Sequence, residues 1–341
     1  MLFLKGSAAM RLRSKAASKD FMTSATDDKI RLGISTCLLG EKVRYDGGHK
    51  LDHFLAETLG KYVEWVPVCP EVEYGLPVPR EVLRLVGTPE SPRLVTARTG
   101  IDHTDGMRSW AQLRLSQLEK DDLCGFVFKS RSPSSGMRGV KVYAPSGIPS
   151  NKGIGIFAAE FMRKFPLMPV EDDGRMHDPE LRENFIERIF VFKRWKEFKE
   201  KGGPLRDLID FHSDHKLLVL AHSPKHYTVL GRLVAEAKKY RPDKLHYDYL
   251  SALMEGLRFI ATTKKNNNVL THILGYFKKH LSQDDRHELL EVIEMYHKGL
   301  IPLIVPIILL KHYVRKYDEP YLRRQLYLNP HPIELMLRNH V

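Results

Sequence analysis

The side chains best placed to do chemistry fall in three short stretches of this sequence. Cys37 lies in STCLLG and Cys69 in VCPEVEYGLPVPR, each just after a short apolar run, and a third apolar run leads into KSRSPSSG at 129–136. Thiolates are soft ligands for iron, copper and zinc, so the pair could hold a metal or stand as free thiols. Three cysteines in all, Cys37, Cys69 and Cys124, make a poor disulfide framework and point to a reducing compartment, the cytoplasm. Around them, Glu71 is either a solvent-facing loop carboxylate or a general base, and Ser132, beside Pro133, is either a turn former or a hydroxyl donor. Lys129 and Arg131 are either a solvated flank or counter-charges for thiolate or phosphate.

The elements that must position these groups alternate in type between 30 and 160. Runs of strand length at 29–35, 62–68 and 124–130 are separated by helical patterns at 51–59 and 107–118. That alternation predicts an α/β domain over 29–167, a parallel sheet flanked by helices. The carboxyl ends of parallel strands gather at one edge, where ligand sites of open α/β folds sit. Cys37, Cys69 and the loop 130–136 therefore converge. Cys124 begins its strand instead; six residues at about 3.3 Å each put it roughly 20 Å from the far end, so it reads as a small buried hydrophobe.

From 205 the strand signals vanish. Helical patterns at 223–240, 247–262, 269–280, 284–297 and 302–317 predict an all-helical domain over 205–341, with Ser223 as an N-cap and Pro224 at the first helical position. Residues 168–204 read as a linker, with a loop at 168–180 and a hinge at Gly202, Gly203 and Pro204. The first 28 residues are basic and rich in Ala and Ser, and read as a disordered leader outside the fold. The longest apolar stretch, twelve residues with two prolines at 299–310, is too short for a bilayer span.

The segments STCLLGEKVRYDGGHK, VCPEVEYGLPVPR and GFVFKSRSPSSGMRGVKVY resemble the three signature segments of the thiouracil desulfidase family. The stretch from HSPKHYTVLGRLVA to the tail YLNPHPIELMLRNHV resembles the YbgA-like helical domain to which that catalytic domain is fused in some members. The resemblance implies a 4Fe-4S cluster held by three cysteines, with one open iron that takes sulfur from a thiolated pyrimidine. By motif position the first two ligands fall on Cys37 and Cys69. The third position, a cysteine in the family's SPSCG, is Ser135 here, a harder and more basic donor that lowers affinity for iron. The same correspondence assigns Glu71 as the carboxylate that handles protons and activates water, and Ser132 as the active-site serine.

Net charge is +12, and residues 205–341, with 21 basic and 15 acidic side chains, carry half of it. Lys225, Arg232, Lys264, Lys265, Lys278 and Lys279, interleaved with Tyr227, Tyr240, Tyr247 and Tyr276, suit an RNA backbone and unpaired bases; an ordinary bundle surface is the plain alternative. His222 and His226 have a metal-compatible spacing without an evident third ligand. The reading is a cluster-dependent desulfidase for thiolated uracil, with 4-thiouridine in transfer RNA as the substrate that the fused family members imply. Two alternatives stand beside it: a non-catalytic RNA-binding descendant without a cluster, and a desulfidase of free thiouracil.

Overall fold

The computed structural model describes residues 29–144 and 148–340; the leader expected over 1–28 lies outside them. The three expected strands form where the apolar runs are. They are β1 (Ile30–Ser35), β2 (Val63–Val68) and, after β3 (Leu83–Gly87) and β4 (Pro92–Thr96), β5 (Phe126–Phe128). Further along come β6 (Val140–Tyr143), β7 (Pro149–Gly153) and β8 (Val170–Asp172). The first sheet runs in the order β2-β1-β5-β8 and all its pairings are parallel. A second, mixed sheet, β4-β3-β6-β7, was not anticipated. Its strands have four or five residues, and one of them, PSNKG, has no apolar alternation at all.

Helices α1 (Pro70–Glu73), α2 (Thr104–Leu118) and α3 (Ile156–Lys164) connect these strands. The pattern at 51–59 yields no α-helix. It forms a single wide turn, Phe54–Thr58, followed by a tight one, Leu59–Lys61, and buries Leu55 and Leu59. Phe126, Phe128, Phe157 and Phe161 interlock between the parallel sheet and α3, with ring centroids 4.3–6.3 Å apart. Each fully buried ring of this kind contributes roughly 1.5–3 kcal/mol.

The span 168–204 is not a linker. It holds β8, the outermost strand of the parallel sheet, and α4 (Pro179–Glu200), the longest helix among the described residues. Asp178 caps α4 by accepting from the Leu181 amide at 3.0 Å, with Pro179 in its first turn. One side of α4 gives Phe185, Ile186 and Ile189 to a cluster with β1 residues; the other gives Val191, Trp195 and Phe198 to the helical core. A helix with apolar groups on both sides shows no single stripe, which is why its sequence does not read as an amphipathic helix. Gly202 and Gly203 end it at φ of 87° and 56°, in the left-handed region open to glycine.

The all-helical region consists of α5 (Leu205–His222), α6 (Pro224–Ala235), α7 (Pro242–Leu257), α8 (Thr263–Tyr276), α9 (Gln283–His297), α10 (Ile304–Lys316) and the short α11 (Pro320–Arg323). Ser223 caps α6 as its sequence predicts, accepting from the His226 amide. Tyr249, Leu253, Leu270 and Leu310 are fully buried at the centre of this core. The chain is thus an α/β region followed by an all-α region, the class the sequence predicts. Among the described residues no helix is long and apolar enough to cross a membrane.

Candidate functional site

The end of β1 passes directly into a 3-10 turn, Thr36–Leu39, which carries Cys37. β2 ends at Val68, so Cys69 is the residue preceding α1, and Pro70 opens that helix with Glu71 in its first turn. β5 ends at Phe128 and releases the loop with Ser132 and Ser135. One cavity of about 310 Å³ is lined by Cys37, Cys69, Glu71, Lys129, Ser132 and Ser135, together with Arg44, Tyr45, Arg80 and Arg131. The convergence expected from parallel strand ends is what the fold produces. Cys124 is fully buried elsewhere: its amide pairs with the Arg31 carbonyl, near the start of β1 rather than its end.

Glu71 is held from several sides. The Ser134 hydroxyl donates to its Oε1 at 2.5 Å, Arg80 Nη2 lies 3.8 Å from Oε2, and the Cys69 thiol is 3.6 Å from the same oxygen. Ser132 does not touch Glu71 directly. Its Oγ lies 3.0 Å from Ser134 Oγ and accepts from the amides of Ser134 and Ser135 at 3.3 and 3.1 Å, so it also shapes the loop. Ser134, buried between the two, is a site residue that sequence reasoning missed; its hydroxyl was indistinguishable from its three neighbours. Arg80 and Asp173 were missed as well. Asp173 follows β8, the unrecognised fourth parallel strand, and its carboxylate takes the Lys129 ammonium at 2.7 Å and the Ser130 amide at 2.6 Å.

The loop is braced by α3. The amides of Phe157 and Ala158, in the helix's first turn, both donate to the Ser134 carbonyl, at 2.9 and 3.2 Å. This satisfies donors that a helix start leaves open. Gly155 makes the approach feasible, since a Cβ there would lie 2.5 Å from the Ser134 carbonyl. Arg131, at the exposed edge of the cavity, sits at φ 59°.

Burial pushes the Cys37 thiol up to about 11, an effect that Lys129 partly offsets, and burial with the Glu71 carboxylate beside it pushes Cys69 to about 12. Both are neutral thiols at physiological pH until a metal displaces their protons. The ligand atoms of Cys37, Cys69 and Glu71 do not gather within 4.8 Å of one another; among the described residues the set that does is Glu183, Glu187 and His331. These three therefore do not form a compact single-ion triad. At the third corner Ser135 is buried and lines the same cavity as Cys37 and Cys69. A buried hydroxyl beside two buried free thiols is a donor set that fits a cluster with one hard ligand.

In the helical region the basic set divides. Lys225, Arg232, Lys264, Lys278 and Lys279 are exposed. Lys265 is not a surface cation, because its Nζ donates to the carbonyls of His222 and Ile260, both at 2.8 Å, and joins α5 to α8. Of the interleaved tyrosines, Tyr247 is exposed, Tyr276 is partly exposed with its ring stacked on Tyr321, and Tyr227 and Tyr240 pack on the core. His222 Nε2 is 2.9 Å from Glu187, and His226 Nδ1 is 2.8 Å from Ser223 Oγ, so each serves the fold.

Residues 32–173 match the family model described as 2-thiouracil desulfurase, and residues 216–332 match one described as a protein of unknown function, DUF1722. The region that carries the cavity is thus a thiouracil desulfurase-type domain, joined to a YbgA-like helical domain. The chain belongs to the family of the uncharacterized protein YbgA of Escherichia coli (strain K12), to which it is 33% identical over 153 residues, 45% of this chain and 90% of that protein. A solved structure, the 4Fe-4S-dependent thiouracil desulfidase TudS, is 29% identical across 44% of this chain and 95% of its own, with a TM-score of 0.36.

Proposed function

We propose that this protein removes sulfur from thiolated uracil, as 4-thiouridine in transfer RNA, giving uridine and hydrosulfide. The observation that carries the reading is the single cavity in which Cys37, Cys69, Glu71, Ser132 and Ser135 meet. Cys37, Cys69 and Ser135 would hold a 4Fe-4S cluster, which when bound supplies an open iron that accepts the leaving sulfur. Glu71, oriented by Ser134 and Arg80, takes a proton from water as it attacks the ring carbon that bears sulfur. That carbon exchanges its double bond to sulfur for one to oxygen; of the two protons of the water, one leaves with the hydrosulfide and the other passes through Glu71 to solvent. Ser132, on the cavity wall, donates to a pyrimidine oxygen. The exposed lysines of the helical region meet the RNA backbone.

Ser135 supports a second reading, a descendant that retains RNA binding with little or no desulfidation. A hydroxyl loses its proton to iron far less readily than a thiol, so the third corner is the weak one. Anaerobic reconstitution of this protein beside Ser135→Cys, with iron and sulfide analysis and sulfide release from 4-thiouridine-containing RNA, separates the two readings. We expect a brown protein in both cases, with iron and turnover rising in Ser135→Cys. A colourless protein that still retards transfer RNA in a gel supports the descendant. Activity on free thiouracil alone, with no retardation of RNA, supports a free-base enzyme.

A further inference from the structure

The last residues of the chain return to the domain that begins it. Leu335 and Leu337, 4% and 5% exposed, lie in one buried cluster with Ile30, Leu32, Cys37, Leu38 and Ile186. Cys69, on the other side of the same cavity, is outside that cluster. Between the two leucines Met336 takes a left-handed turn at φ 53° and points to solvent, so the tail enters as a two-pronged wedge.

Arg338 locks the wedge in place. Its Nε donates to Glu183 at 2.8 Å, its Nη2 to Glu187 at 2.7 Å and its Nη1 to the Tyr327 carbonyl at 2.6 Å. The Arg338 carbonyl in turn accepts from the Ile304 amide, 3.1 Å away at the start of α10. Arg338 and Glu187 are buried almost completely, and the guanidinium is the counter-charge for both α4 carboxylates. That explains the close approach of the Glu183 and Glu187 carboxylates. A buried pair that loses one partner leaves an uncompensated charge, so the ion network fixes where the tail must sit.

We propose that the tail, residues 333–340, is a positioning element for the Cys37 corner of the site, with Leu337 and Arg338 as its principal positioning residues. The tail of the helical region thus packs into the buried cluster behind Cys37, outside the cavity lining itself, and couples the two regions there. The inference rests on the reading of Cys37 as a site residue, and it needs no cluster, substrate or turnover to be tested.

The probe is iodoacetamide on the purified full chain without iron, with peptide mass spectrometry following Cys37 and Cys69 separately. A buried thiol reacts through local opening, so removing the wedge should speed Cys37 roughly tenfold or more in Leu337→Ala and in Arg338→Met, with Cys69 unchanged. Leu337→Met, which conserves volume, should label like the parent. Equal acceleration of both cysteines means general destabilisation and overturns the proposal, as does an unchanged Cys37 in a folded Leu337→Ala protein. A second measurement, the half-life of iron bound to reconstituted Ser135→Cys protein under a chelator, should shorten with either tail substitution. Failure of sulfide release in the parent would overturn the desulfidase reading and leave the labelling result standing.

Discussion

Where the resemblance to the thiouracil desulfidases implies a third cysteine ligand, this chain carries the hydroxyl of Ser135. Ser135 is buried and lines the cavity with both cysteines, yet a soft iron site prefers thiolate. Ser135→Cys should therefore raise both bound iron and sulfide release, measured after anaerobic loading. Glu71 makes a different prediction. Its carboxylate is oriented by Ser134 and Arg80, so Glu71→Gln should keep the fold and RNA retardation while lowering sulfide release roughly 100- to 10,000-fold, the span ordinary for a lost general base. The motif placed Ser132 in the loop that lines the cavity, but its bonds to two loop amides were not legible. Those depend on how the loop turns in space, where four serines in one stretch offer equivalent hydroxyls.

Among the elements, α4 decides how the two regions join. α4 was unreadable as a helix face because two cores share it, Phe185 and Ile189 on one side, Trp195 and Phe198 on the other. α5 carries His215, which stacks on Phe211 with ring centroids 3.8 Å apart and is bonded to the Phe211 carbonyl. Burial, with Arg194 adding to it, pushes this imidazole down to about 3 from its ordinary 6.5. The unfolded chain takes up a proton below 6.5 while the folded one stays neutral, so stability is complete above 6.5 and falls as pH drops toward 3. Over that window the loss reaches about 1.4 kcal/mol per pH unit from this group. Thermal melts at pH 7.5 and 5 should show the decline, and His215→Gln should reduce it without abolishing it, since burial also holds His212 and His331 down to about 4.

For the whole molecule, the charge excess of the helical region predicts a salt-dependent affinity for RNA. Replacing Lys264, Lys278 and Lys279 by alanine should weaken transfer-RNA retention and reduce the slope of log affinity against log salt by roughly 2, as expected for up to three lost phosphate contacts. Removing residues 205–341 is not a clean test, because Leu335 and Leu337 would leave the α/β core incomplete. The sequence alone determined the two-part class, the three parallel strands that end at the site, the meeting of Cys37, Cys69 and Ser135, and the cap at Ser223. Those follow from local periodicity and from the rule that parallel strand ends share an edge. Only the tertiary structure decided the second sheet, the role of 168–204, the withdrawal of Lys265 into a helix joint, the Ser134–Glu71 contact and the return of the tail. Each depends on partners far apart in sequence, and no local pattern records which distant groups a side chain will meet once the core has closed.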